Sequence, residues 1–304
     1  METGPFDVDV AGCGHVRIAR VPMHPTTGHQ ARHQRADGSA LLRVGCGADG
    51  SSCVRDLYQA SPCRLLFPEA EPGEPLQAVL LTTSGGLTGG DRVQMRLQVD
   101  AGARATVTTQ AAEKLYRSLP GTQVRAQVDV EAGAGAWAEW LAQETILFDQ
   151  ARLRRTFTAD LAAGARLLAT ESVVFGRTAM GESFETGLLH DAWRIRRGGV
   201  LVWADALHLS GAVREQRRQP FGFGTAVAYS TVLYAGAEAP QLLEPVRALL
   251  PGPEGTATVL GELLLVRLLC GDAAAMRAAV IRIAGLIRAR AGGADGALPR
   301  VWHC

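Results

Sequence analysis

Apolar and polar residues alternate from Gln123 to Val130, which puts Val124, Val128 and Val130 on one face of an extended chain. Runs of similar texture, short and cut by glycine, predict strands over 78–83, 93–99, 105–109, 123–130, 136–141, 152–161 and 167–175. A tight hairpin turn at Arg197-Gly198-Gly199 joins two more, 193–196 and 200–209, and a last strand covers 225–234. Upstream of Pro75 one strand is expected within 32–44, followed by a loop-rich approach marked by Pro62, Pro68, Pro72 and Pro75.

The strands carry an internal repeat. Ala-Gly-Ala recurs at Ala101, Ala132 and Ala163, 31 residues apart each time, and a β-type run follows each copy. Three two-strand units with glycine turns at equivalent corners predict a layered, solenoid-like β architecture. Coincidence in a sequence rich in alanine and glycine is the competing account.

Past Pro240 the pattern turns helical. Residues 241–250 form a short segment, 258–269 read as a helix ended by Gly271, and Asp272 caps a longer helix to about Ala291. In that helix Met276, Val280, Ile283 and Ile287 recur at helical spacing, as on a helix docked against a core. The expected fold is therefore mainly β, a layered, β-helix-like multi-strand scaffold with about two C-terminal α-helices. Three parts are expected: an irregular segment over 1–75 with a few strands, the β scaffold over 76–238, and a helical segment of the same domain over 239–304.

Composition narrows the function. Lys+Arg number 31 against 30 Asp+Glu, a net charge of +1, which argues against a general nucleic-acid binder or a polybasic membrane protein. Lys114 is the only lysine and asparagine is absent, so arginine usage reflects coding bias as much as chemistry. The first ten residues lack a basic leader, and 259–269 is too short and too charged to span a bilayer, so a cytoplasmic chain is expected. Cys13, Cys46, Cys53, Cys63, Cys270 and Cys304 form no C-x-x-C pair and are expected to be free thiols. His303 and Cys304 are two potential metal ligands on one tail.

Catalytic patterns are few. The segment Gly85 to Asp91 has the glycine separation of a phosphate-binding loop, but Asp91 stands where lysine is needed and would repel phosphate. No G-x-S-x-G elbow or H-E-x-x-H occurs, and histidines cluster at His15, His24, His29 and His33. Carboxylates remain: Glu113, Glu139, Glu144, Asp149, Glu171, Glu182 and Glu185. Two of them flanking a glycosidic bond, with Trp137 or Trp140 as a sugar platform, would make a carbohydrate-active β-helical enzyme.

Four segments together favour another class. Residues 82–91 (TTSGGLTGGD), 108–118 (TTQAAEKLYRS), 143–149 (QETILFD) and 171–182 (ESVVFGRTAMGE) resemble, in order, the urease accessory protein UreD (UreH) family. The resemblance runs from about Leu57 to the closing Leu298-Pro299-Arg300-Val301-Trp302, with Ala142 where relatives often have proline. It implies a non-enzymatic, β-rich maturation chaperone that binds UreF and through it the GTPase UreG, and docks on urease apoprotein. The nickel carrier UreE would act indirectly, and no cofactor would be tightly held, only transient Ni2+. Under the resemblance, Glu144, Asp149, Glu171 and Glu182 line an ion route with Asp91 near one mouth. The alternative is that Glu144 and Glu171 are structural. Lys114, Tyr116 and Arg117 are candidate partner contacts, or else pair with Glu113. A β scaffold for a different partner is the remaining possibility.

Overall fold

Strict inside–outside alternation runs through Arg152–Leu161, whereas Trp137–Leu147 and Arg166–Phe175 are buried almost throughout. The difference follows from layer position: the first strand has one wet face, and the other two are covered on both. A computed structural model describes residues 35–303 except 70 and 72, together with two short strands further upstream. The stretch holding Cys13, His24, His29 and His33, and Cys304 of the tail, lie outside the described residues, as does the side chain of His15.

Two sheets carry the chain. The first orders its strands as β1 (Phe6–Asp9), β2 (His15–Ile18), β4 (Ser52–Ala60), β3 (Asp37–Cys46), β7 (Arg92–Val99), β10 (Val124–Ala132), β12 (Arg152–Leu161), β14 (Thr186–Arg197) and β15 (Val200–Ala212). The second runs β17 (Gly255–Leu260), β18 (Leu263–Cys270), β16 (Ala228–Ala235), β13 (Arg166–Phe175), β11 (Trp137–Leu147), β8 (Arg104–Thr109), β6 (Leu76–Thr82) and β5 (Cys63–Leu66), with β9 (Glu113–Leu115) beside β11. From β6 to β14 the chain passes alternately between the sheets, and each strand lies parallel to its counterpart in the previous coil. The centre is therefore a β-solenoid-like stack, mainly β, closed by the antiparallel partners β15 and β16.

Register refines the repeat. Trp137 pairs with Arg104 and Arg166 with Trp137, so the coil steps are 33 and 29 residues, which average the 31 read from the sequence. Gly102, Gly135 and Gly164 hold the left-handed corner conformation (φ +70, +67 and +66°), so the equivalent glycine of the middle corner is Gly135 and not Gly133. Ala103, Ala136 and Ala165 then turn inward behind them and are fully buried.

Ala40, Leu42, Met95, Leu97, Phe157, Trp193 and Ile195 of the first sheet fill the space toward Val107, Trp140 and Leu167 of the second. On the far side of the second sheet, Met276, Val280, Ile283 and Ile287 of α3 (Ala273–Ile287) pack with Trp137, Val232 and Leu264. Helix α1 (Val213–Arg218) is short, and α2 (Ala239–Arg247) joins the same layer as α3. Asp272 caps α3 as expected, its carboxylate accepting from the Ala275 N–H at 2.7 Å.

One expected helix is absent. Residues 258–269 form the β17–β18 hairpin, turned at Gly261 (φ +59°) and Glu262. Leu263–Cys270 is flanked by strands and largely covered on both faces, so its apolar run, broken only by Arg267, carries no period that separates a buried strand from a helix.

The closing segment is anchored in the second sheet. Trp302 is buried, its indole N–H donates to Thr108 Oγ1 at 3.0 Å, and Arg277 lies over its ring. Trp302→Phe removes the N–H and some packing volume, and is expected to cost about 1–2 kcal/mol in a urea titration. Among the described residues no helix is long and apolar enough to cross a membrane.

Candidate functional site: the loop end and the cavity beneath it

The four motif segments converge at one end of the stack. Every passage from the second sheet back to the first turns there, whereas the Ala-Gly corners make the opposite end. The loops are tied in order by backbone hydrogen bonds. Tyr116 N–H donates to Leu87 O, Phe148 N–H to Leu115 O, Ser118 N–H to Gln150 O and Gln150 N–H to Thr186 O.

Side chains continue the stack. Tyr116 meets Phe148 edge-on at 5.0 Å, Arg177 lies 4.4 Å above Phe148, and the Tyr116 hydroxyl donates to Gly85 O at 3.0 Å. Lys114, Tyr116 and Arg117 are exposed, and Leu119 and Met180 add apolar surface (55% and 76% exposed). Phe148 and Arg177 were not singled out from the sequence, although both lie in or beside the motifs that were.

The five expected carboxylates do not form one cluster. Asp91 is a loop tie, accepting from Ala36 N–H at 3.0 Å and Thr88 N–H at 2.7 Å. Asp149 accepts from the N–H groups of Glu185 and Thr186 at 3.0 and 2.9 Å. Its own N–H faces Glu182, which is paired with Arg177; this guanidinium holds the Glu182 carboxyl below its ordinary range. Glu144 points to the helical layer and meets Arg277 at 2.8 Å. Glu171 alone faces the interior between the sheets. Among the described residues no group of three or more His, Cys, Asp or Glu side chains is placed to hold a metal ion.

Beneath the loop end a cavity of about 100 Å3 opens between the sheets, with Cys63, Glu113, Gln143, Thr145, Arg155 and Glu171 among its lining residues. Arg155 donates to both Asp191 oxygens (3.0 and 2.7 Å) and to Glu171, while the Trp140 indole donates to Glu171 at 2.8 Å. All three ionisable groups are buried, so one cation serves two carboxylates. Burial, together with the nearby Asp191 charge, raises the Glu171 carboxyl above its ordinary value. Glu113 is also raised by burial, against the Thr82 hydroxyl that donates to it at 2.7 Å. It does not pair with Lys114. Burial pushes the Cys63 thiol up to about 11, which leaves it protonated and a poor ligand at neutral pH. Glu113 and Cys63 are lining groups that spacing alone did not pick out, since the topology that joins them to Glu171 is long-range.

A raised carboxyl pKa means the folded state holds the proton more tightly than the unfolded one, so stability falls as pH rises through the folded value. Glu113→Gln keeps the acceptor for Thr82 and removes that penalty. The variant is expected to be more stable than the parent at pH 7.5, by up to about 1 kcal/mol. The gain should vanish near pH 4, and thermal melts at the two pH values test the sign.

Trp137 and Trp140 are 0% and 3% exposed, so neither is a platform for a sugar. Glu139, the acid next to them, is bound by Arg288, itself paired with Glu74. The pair of open carboxylates required by the hydrolase alternative is not found among these acids.

Sequence comparison agrees with the motif end. The family profile of the UreD urease accessory protein matches residues 36–303. The chain belongs to the UreD urease accessory protein family. A UreD of Magnetococcus marinus is 44% identical over 260 residues, covering 83% of this chain and 89% of the relative. UreD proteins of Rhizobium etli and a Methylobacterium species are 41% and 40% identical, covering 90% and 92% of this chain and 97% and 99% of theirs. An accessory role toward urease follows from that membership. The UreD match includes all four motifs, and in this structure their loops make a single surface.

Proposed function

We propose that the chain is a cytoplasmic, non-enzymatic urease maturation chaperone, which joins UreF and the GTPase UreG to urease apoprotein and passes nickel through its interior. The observation that carries this reading is the buried cavity with two carboxyl groups of raised pKa, Glu113 and Glu171, directly under the loops that hold the family motifs. Interior carboxyls short of counter-charge attract a divalent cation, and Gln143 and Thr145 offer further oxygens. Arg155 beside Glu171 repels the same cation, so it lodges weakly and moves on. At the mouth, Asp149 and Glu182 present carboxylate oxygens, while Asp91 keeps the first loop in place. Glu144 stands on the other face of β11 and would serve a route only through the helical layer.

The loop end supplies a partner surface as well. Exposed Tyr116, Leu119 and Met180 among Lys114, Arg117 and Arg177 form an apolar patch with a cationic rim, the composition of a protein contact. UreE would hand nickel to UreG and meet this chain only through it.

Co-expression of the tagged chain with UreF, UreG and urease apoprotein, in a host lacking its own copy, tests the reading. Co-purification together with nickel-dependent urease activity is the expected result. A stable chain that binds none of them and restores no activity would overturn it.

A further inference from the structure

Outward side chains of the first sheet fall into cross-strand rows, because β7, β10, β12 and β14 run parallel and in register. At the loop end one row reads Arg92, Arg125, Arg154, His190 and His208, with the exposed Asp37 of β3 opposite Arg92 at its other end. Neighbouring strands lie ~4.8 Å apart, so the row spans roughly 19 Å. All three arginines are exposed, and no guanidinium among them makes an ion pair or hydrogen bond with a described residue. His190 and His208 end the row with their Nδ1 atoms 3.3 Å apart, one ring donating to the other.

Like charges directly opposite on adjacent strands destabilise a sheet. Three in succession, with an acid opposite only the first and no ion pair made, cost the isolated fold stability, and an anionic partner removes that cost. The adjacent row, Gln94, Gln127, Thr156 and Ala192, is uncharged, and the row beyond it, Arg96, Asp129, Thr158 and Arg194, sets two exposed arginines beside an aspartate held by Gln94, Gln127 and Thr158. A single-stranded nucleic acid is read by a broad basic groove with aromatic rings for its bases, and this row contains no aromatic residue besides its two histidines. A line of carboxylates on one protein segment fits the observed width, and the row adjoins the loop end already assigned to partners.

We propose that the Arg92–Arg125–Arg154 row, continued by His190 and His208, docks an acidic segment of a protein partner in the urease maturation assembly. The identity of the assembly rests on the function proposed above; the acidic chemistry rests on the row itself.

The test uses the full chain and its variant carrying Arg92→Glu, Arg125→Glu and Arg154→Glu. A labelled oligoglutamate peptide, an oligodeoxythymidylate of equal length and the co-expressed maturation partners are the probes. The parent chain is expected to bind the peptide more tightly than the oligonucleotide. Peptide binding should weaken at least about tenfold in the variant, and likewise on raising salt from about 50 to about 200 mM. Co-purification with the partners should fall in parallel. Arg125→Gln, which only relieves repulsion, should melt no lower than the parent and still bind less peptide. Equal peptide binding and equal co-purification by the triple variant would overturn the proposal, as would tighter binding of the oligonucleotide through the same arginines. A chain that holds the peptide through this row but never restores urease activity keeps the acidic-segment site and overturns the maturation reading instead.

Discussion

Arg155→Met is expected to destabilise the chain by about 3–5 kcal/mol, enough to leave much of it unfolded at physiological temperature. The side chain is 4% exposed and is the cation between Asp191 and Glu171. Methionine fills most of the volume but leaves two carboxylates buried with no positive charge, and Thr145 loses its 3.3 Å contact with the guanidinium. Urea unfolding at pH 7.5 measures the loss. Two further results check the cause. Adding Asp191→Asn and Glu171→Gln should recover part of the stability by removing the unpaired charges. Lowering the pH should also narrow the gap to the parent, because the abandoned Glu171 carboxyl, already raised by burial, then takes up a proton. A variant as stable as the parent would mean that the triad is hydrated and open, contrary to its burial.

Glu171→Gln is expected to behave very differently. Glutamine keeps an acceptor for the Trp140 indole and leaves Arg155 its bidentate bond to Asp191, so the fold and the binding of UreF should survive. What disappears is the interior carboxylate on the proposed route. Loss of a group that tunes a metal's path costs on the order of tenfold or more, and nickel-dependent urease activation should drop by about that factor. Measuring activation beside UreF co-purification separates the two effects. Normal activation with intact binding would leave Glu171 purely structural.

The two expectations rest on features of unequal legibility. Most strands between β6 and β16, the Ala-Gly corners and the capped helix α3 were readable because each is local: alternation, a left-handed glycine and an Asp N-cap declare themselves within a few residues, whereas β4 and β5 lie where prolines suggest a loop-rich approach. The β17–β18 hairpin was not readable, since burial of β18 on both faces erases the alternation that marks a strand. The motif residues were readable as a set, but their division was not. Whether a carboxylate on β11 or β13 faces the cavity or the helices depends on pleat and on the register shift between Leu141 and Glu144, which no spacing reveals. Arg155 and Arg277, which decide the fates of Glu171 and Glu144, lie 16 and 133 residues from them. Arginine abundance hid both, as it hid the row on the outer face.

Under the function proposed above, the shortage of counter-charge in the cavity bears on an ion's passage. Burial raises both the Glu113 and the Glu171 carboxyl above their ordinary values. A divalent ion that lodged between them would compete with protons for the same oxygens. Transit along such a route would slow in acid and would need no change of fold.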